Sequence, residues 1–412
     1  MDQEKIVVTG MGAISPVGHS LKQTWDNIVN GKSGAGPITQ FDATDYLVSA
    51  ACEIKDFNAV NFMPAKEARR RDRFEQLATV AANEAILQSG LEITEENSAR
   101  IGVIVSSAIG GIASLEENVR TLDAVGPRKV NPFLIPMMMS NGASGLIGID
   151  YGIKGPAFSV ASACASGQDG IGVAWMMLKS GMIDAAVTGA AEATVTTLAI
   201  SAFDRVGAMS RRKVGEGAPS PFDKNRDGLL VGEGSGILVL ERESHAKARG
   251  AEILAELAGY AATADAYHVT APSKNGAGGA KAMTQALETA QVNADELGYI
   301  SAHGTATYLN DLSETLAVKL AFGQQAYNIP ISSTKSMTGH MMGATGALET
   351  LFCIQSIREN VLPPTINYNT PDPECDLDYV PNEARQQKVS SAISNAFGFG
   401  GHNTVLVAKE YV

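Results

Sequence analysis

The chain has 412 residues, of which 45% are hydrophobic and 18% charged, with a net charge of −12. This is the composition of a globular chain with a large core, and it excludes a disordered or fibrous chain and a generic nucleic-acid binder. No run approaches the ~18 apolar residues of a membrane span, and no basic segment leading into an apolar one opens the chain. The four cysteines, Cys52, Cys164, Cys353 and Cys375, form no Cys-x-x-Cys pair and no metal-ligand spacing. Reduced thiols in a cytoplasmic setting, with no metal, are expected.

In chain order, the pattern predicts a strand at 5–9, a helix, a strand at 101–106, a helix, a strand at 157–161, a helix, and strands at 185–189 and 236–240. A second series follows: strand 254–261, helix 278–292, strand 297–302, helix 312–322, strand 331–333, helix 344–357, and strands 391–394 and 404–408. Strands alternating with helices imply α/β sheets covered by helices. Nearly the same order twice implies two similar halves, 1–252 and 253–412, stacked as an α/β/α/β/α sandwich. No Ser/Pro/Gly-rich linker separates them, so one rigid body is expected.

Four segments carry chemistry. In Ser159-Val-Ala-Ser-Ala-Cys164-Ala-Ser-Gly, small residues join a strand to a helix through the cysteine. A thiol at a helix N-terminus meets partial positive charge, which lowers its pKa, and its own N–H is placed to stabilise an oxyanion. Cys52, Cys353 and Cys375 lack this context and are read as inert core residues. Ser301-Ala-His303-Gly-Thr305-Ala-Thr307 ends a strand in a histidine, and Asn310 or Asp311 is placed to cap the next helix. Lys335-Ser-Met-Thr-Gly-His340 lies on a Gly-rich turn, and Glu349 in the following helix can return to Lys335. Ser394-Asn-Ala-Phe-Gly398-Phe399-Gly-Gly-His402 is a glycine turn that can bring an N–H close to a substrate. Each segment follows a predicted strand, so all four can converge at one edge of the sheets. A basic run at 66–73 stands out in this acidic chain, with a smaller one at Arg128-Lys129. It reads either as a solvated helix face or as a docking patch for an acidic partner.

Together SACASG, AHGTAT, KSMTGH and NAFGFGGHN resemble the β-ketoacyl-[acyl-carrier-protein] synthases of the elongating Cys-His-His type, above all the type II branch. VVTGMGAISPVG, PFDKNRDGLLVGEGSGILVLE and LPPTINY agree, so the resemblance covers essentially the whole chain. It implies the thiolase fold, a duplicated five-layer sandwich, and a homodimer in which the apolar segment 131–139, with Phe133, covers the partner's acyl pocket. It implies Cys164 as acyl-accepting nucleophile, His303 and His340 as donors to the malonyl thioester oxygen, and the N–H groups of Cys164 and Phe399 as oxyanion hole. Lys335, with Asp311, Glu314 and Glu349, would order the site. Thr305 and Thr307 would bind a phosphopantetheine arm, and Ile109 and Phe399 would gate and floor the acyl pocket. Lys66, Arg69, Arg70, Arg128 and Lys129 would meet an acidic acyl carrier protein. No cofactor is implied, because the phosphopantetheine arrives on that protein.

Several positions depart from the family pattern. Ala306 and Tyr308 replace Ser and Pro, Leu312 follows Asp311, Gln168-Asp169 replaces Thr-Asn, and the loop 210–223 is one residue shorter and lacks an Asn-Asp pair and an Arg. None removes a reacting group. A degradative thiolase would need a second cysteine near 397–401, where there is none, and an initiating synthase would pair the cysteine with His and Asn. A ketosynthase of a specialised polyketide or lipid pathway stays open. A chain-length partner subunit is disfavoured, because Cys164 and both histidines are present.

Overall fold

The computed structural model describes residues 4–412. Ten strands lie in the order Ile331–Ser332, Tyr299–Ser301, Ser391–Gly398, His402–Lys409, Ala255–Ala264, Ile6–Ile14, Glu233–Arg242, Ala185–Ala193, Ile101–Ser106 and Ala157–Phe158. Counted outward from the centre, both sides repeat one order: first strand of the half, then fifth, fourth, second and third. The sides meet where Val7 and Val8 pair with Glu256 and Ala255. Ile6–Ile14 is buried at all nine positions, as suits a strand covered on both faces. For this reason it shows no polar alternation in sequence, and its predicted end at 9 fell short.

Two helices lie between the half-sheets. Ser166–Lys179 packs on Ala185–Ala193 and Ile101–Ser106 of one side and on Ala255–Ala264 and His402–Lys409 of the other. Thr345–Glu359 packs on Ser391–Gly398 and on Glu233–Arg242. Arg73–Ser89 and Gly142–Tyr151 cover the outer face of the first half-sheet, and Ala277–Ala290 with Tyr308–Phe322 covers that of the second. These are five layers. The middle layer is tight at Gly172, where an added Cβ would fall within 2.3 Å of the Tyr260 ring. Its core holds Ile171, Leu178, Leu351 and Ile354, all fully buried, and each such side chain contributes about 1.5–3 kcal/mol.

The basic run is not one helix. Ala65–Ala68 forms a single turn, and Asp72 then caps Arg73–Ser89 with a capping box: its carboxylate accepts from the Phe74 N–H, while Glu75 accepts from the Asp72 N–H at 2.8 Å. Arg71 is consumed by Asp150 and Arg73 by Glu233. Lys66 and Arg69 remain exposed, as do Arg128 and Lys129. The Arg70 guanidinium lies 4.8 Å over the Phe133 ring, so the turn carrying the basic residues abuts the 131–139 segment. Among the described residues, no helix is long and apolar enough to cross a membrane.

Candidate active site

The nucleophile candidate sits on a sharp turn. Ala163 holds φ at +51°, a left-handed conformation rare for a residue with a side chain. The Ala165 and Ser166 N–H groups donate back to the Ser162 and Ala163 carbonyls, both at 3.1 Å. Cys164 therefore projects just before the helix that starts at Ser166. Gly398 makes this possible, because a Cβ there would stand 3.0 Å from the Cys164 nitrogen and 3.1 Å from the Ser162 oxygen. The N–H groups of Phe399 and Cys164 both favour the thiolate. The expected lowering of the thiol pKa is not found. Burial pushes the thiol up to about 11, against the pull of the Phe399 N–H and the Lys335 charge, and the Glu192 carboxylate adds to the rise. Desolvation of a thiolate outweighs the helix end.

The histidines arrive from the other half. His340 Nε2 lies 3.1 Å from Cys164 Sγ, and its Nδ1 lies 3.0 Å from the Thr345 hydroxyl. The His303 ring meets the His340 ring edge-on, with centroids 5.3 Å apart. Reactive atoms of Cys164, His303 and His340 all fall within 4.8 Å of one another. Burial and then the Lys335 charge hold both imidazoles well below their usual pKa, and His340 adds to the effect on His303. Both are neutral at pH 7.

Buried charges brace this pair. Lys335 Nζ lies 2.7 and 2.9 Å from the Glu349 oxygens, with both side chains 1% exposed, so the expected return of Glu349 is present. Burial raises Glu349 to about 7, against the opposing Lys335 charge. Glu314 accepts from the N–H of His303 at 2.8 Å, of Gly304 at 2.7 Å, and from Asn395 at 3.1 Å, fixing the turn that carries His303. Asp311 does something else. Its carboxylate accepts from the Phe222 N–H at 2.8 Å and lies 3.7 Å from Arg226, and it makes no bond to Lys335 among the described residues. Burial raises it to about 6. Nor does Asn310 or Asp311 cap the helix, which begins at Tyr308 with Thr307 in the cap position; the Asp311 side chain is committed to Phe222.

Cys164, His303 and His340 open into a cavity of about 270 Å³, also lined by Thr305, Thr307, Phe397 and Phe399 and by apolar Phe203, Leu229 and Met342. Residues 3–246 match the beta-ketoacyl synthase N-terminal domain and residues 254–369 the beta-ketoacyl synthase C-terminal domain. The chain belongs to the beta-ketoacyl synthase family. It is 46% identical to a 3-oxoacyl-[acyl-carrier-protein] synthase 2 of Synechocystis over 100% of this chain and 99% of that one. It is 47% identical to a 3-oxoacyl-[acyl-carrier-protein] synthase 2 of Staphylococcus aureus over the whole of both. Among solved structures, it superposes at TM-score 0.92 and 34% identity, with full coverage of both chains, on a chain of a type II PKS acyl-carrier protein in complex with its ketosynthase bound to the hexaketide. A beta-ketoacyl synthase from Burkholderia phymatum gives TM-score 0.91 at 33% identity, covering 99% of this chain and 100% of that one. The ketoacyl synthase therefore has the thiolase fold, with the five layers described above.

Two residues taken as pocket residues do not line this cavity. Ile109 is 39% exposed and Phe133 38% exposed, and neither is in its wall. The departures have local accounts. Asp169 accepts from the hydroxyls of Ser162, of Tyr260 at 2.8 Å and of Thr404 at 2.7 Å, tying the cysteine turn to two strands of the opposite half. Gln168 donates to the Ser394 hydroxyl at 2.7 Å. In the altered loop, Arg212 bonds the carbonyls of Gly217 and Asn225 and lies 3.4 Å from Asp227, bracing the segment from within. Tyr308 lies under the Arg226 guanidinium, 5.0 Å from ring centroid to carbon. Cys52, Cys353 and Cys375 are buried and free, and burial raises all three thiols. Sequence reasoning missed Thr345 and Glu192. Thr345 lies five residues past His340, at the start of the next helix. Glu192 was visible as the one acid in a strand of small residues, Ala185-Ala-Val-Thr-Gly-Ala-Ala-Glu192-Ala.

Proposed function

We propose that this ketoacyl synthase extends acyl chains by two carbons, through a decarboxylating Claisen condensation of a Cys164-bound acyl group with malonyl carrier protein. The carrying observation is the thiol 3.1 Å from His340 Nε2 with the His303 ring edge-on beside it. Cys164 takes the acyl group from acyl carrier protein as a thioester, releasing the carrier thiol. The malonyl thioester then loses carbon dioxide, and the electron pair of that bond becomes an enolate. Two neutral imidazoles can donate N–H to its oxygen without giving up a proton. A Thr345 hydroxyl donating to Nδ1 leaves Nε2–H of His340 free for that role. The enolate carbon attacks the Cys164 thioester, whose developing oxyanion meets the N–H groups of Cys164 and Phe399. The carbon–sulfur bond breaks, the sulfur recovers a proton from solvent, and 3-oxoacyl carrier protein leaves.

In this reading residues 1–252 supply the nucleophile, and residues 253–412 supply both histidines, Lys335 and Phe399. Thr305 and Thr307, whose hydroxyls lie 2.8 Å apart on the cavity wall, receive the phosphopantetheine arm, the only prosthetic group involved. Lys66, Arg69, Arg70, Arg128 and Lys129 receive the acidic carrier protein. The reading includes a homodimer, supported by an apolar face left exposed at Leu122, Val125, Ile135, Met139 and Ile149, with Ile109 and Phe133 completing an acyl pocket across it. A monomer by light scattering at micromolar concentration would sink the dimer. The setting is cytoplasmic.

The test is condensation of malonyl carrier protein with a ladder of saturated and unsaturated acyl carrier proteins, beside Cys164→Ala. Extension of medium and long chains, lost in the variant, is expected. No extension by folded protein would point to a specialised pathway or a partner subunit.

A further inference from the structure

We propose that Glu192 is a positioning residue for the nucleophile: one buried carboxylate ties the turn at 107–110 to the turn carrying His340 and keeps a negative charge beside the Cys164 thiol. The proposal rests on the reading of Cys164 as the nucleophile. Glu192 lies near the end of Ala185–Ala193 and is 0% exposed. Among the described residues no Lys, Arg or His pairs with it. It is held instead by four donors: the Ser107 hydroxyl at 2.7 Å, and the N–H groups of Ala108 at 2.8 Å, Gly343 at 3.1 Å and Ile109 at 3.2 Å.

Four converging donors require the four lone-pair sites of an ionised carboxylate. A glutamine would aim an NH₂ at N–H groups. An acid buried without a cation is costly to a fold, and a merely structural tie between turns has cheaper solutions. What the carboxylate joins is the site itself. A Cβ on Gly343 would stand 2.8 Å from the Ala108 nitrogen and 2.9 Å from Glu192 Oε2, so the two turns touch at the carboxylate. The Gly343 carbonyl would be 2.5 Å from a Cβ on Gly167, in the first turn of the helix after Cys164. Ala108 packs in one cluster with Cys164, Phe203 and Met342, the apolar wall beside the thiol. Two turns thus register on one side chain, and the helix after Cys164 packs against one of them.

Its charge also acts on the sulfur. The titratable groups facing the thiol are His303 and His340, both neutral, Lys335, which favours the thiolate and is backed by Glu349 and Glu314, and Glu192, which opposes it. Burial raises Glu192 to about 7, so it is ionised throughout the range where the thiol titrates.

The experiment measures iodoacetamide alkylation of the intact protein against pH, with elongation of an acyl carrier protein and thermal unfolding in parallel. Glu192→Gln is expected to shift the alkylation midpoint to lower pH, raising the rate at pH 8 at least threefold, while elongation falls at least tenfold. Glu192→Asp, which keeps the charge but is one methylene short, is expected to leave the midpoint in place and still lower elongation. A folded Glu192→Gln with an unmoved midpoint overturns the proposal, whatever its elongation rate. If that variant does not fold, Ser107→Ala and Glu192→Asp decide: both folded and elongating at the wild-type rate overturns it. Alkylation requires no condensation, so a moved midpoint in a protein that elongates nothing would reject the proposed reaction and leave Glu192 standing.

Discussion

Thr345→Val removes one hydroxyl from the active site and little else. The side chain keeps its shape, and it is 1% exposed, as His340 is 2% exposed, so water does not enter to replace the lost contact. His340 Nδ1 then loses its partner at 3.0 Å. The ring becomes free to carry its proton on Nδ1, which in the proposed condensation turns Nε2 from a donor into an acceptor facing the enolate oxygen. Leaving a buried polar atom unpaired costs about 1–3 kcal/mol. At about 1.4 kcal/mol per factor of ten, condensation should slow about 5- to 150-fold. The assay is steady-state elongation at saturating acyl and malonyl carrier proteins, with Thr345→Ser as the rescue and thermal unfolding as the control. Nitrogen-15 shifts of the His340 ring report the tautomer directly. A folded Thr345→Val within twofold of wild type, or a serine variant as impaired as the valine one, refutes the reasoning.

With the Cys164 thiol at about 11, roughly one thiol in ten thousand is ionised at pH 7, so alkylation should rise steadily to beyond pH 10; a plateau by pH 8 would contradict the desolvation argument. The buried thiols stay protonated in the folded chain where an unfolded chain ionises near 8.5, and Cys52 rises to about 12. Stability present below about pH 8.5 should therefore be lost as pH rises above it, seen as a falling Tm between pH 8 and 10. Gly398→Ala presses a methyl to 3.0 Å from the Cys164 nitrogen; displacing that proposed oxyanion donor should cost ~3 kcal/mol, and kcat should fall at least tenfold in a folded protein. Arg128→Glu with Lys129→Glu should raise KM for acyl carrier protein about tenfold at low salt, with kcat held and the difference shrinking by 0.5 M salt; a salt-independent effect would remove these residues from the docking surface.

The repeated strand order and the four strand-end segments were legible, because small residues and glycines at strand ends are visible in any register. Ile101–Ser106 was placed to the residue. Strand lengths were not, since strands such as Ile6–Ile14 and Glu233–Arg242 are buried on both faces and carry no period of two. The failure at the thiol has another cause. A helix end is local and can be read from neighbours, whereas Cys164 is desolvated by residues such as Ala108, Phe203 and Met342 that come from distant segments. Asp311 misled for a related reason: its partner Phe222 lies 89 positions upstream, and nothing near Asp311 announces it. Glu192 was overlooked because three of its four partners, at 108, 109 and 343, are backbone amides without a residue signature.

The division of the site across the sandwich sets a timetable. Cys164 leaves the ribosome well before His303, Lys335, His340 and Phe399, and at 5–20 residues per second the 235 positions separating it from Phe399 take roughly 12 to 47 s. Until His303 and His340 are made, 139 and 176 positions after Cys164, the nascent chain carries a thiol with no imidazole beside it, and Asp169 waits for Tyr260 and Thr404. Because Thr404 sits on His402–Lys409, the cysteine turn gains this tie only after both histidines and Phe399 have been made. A chain that has not reached Thr404 thus holds the thiol on a turn that is not yet tied to the opposite half.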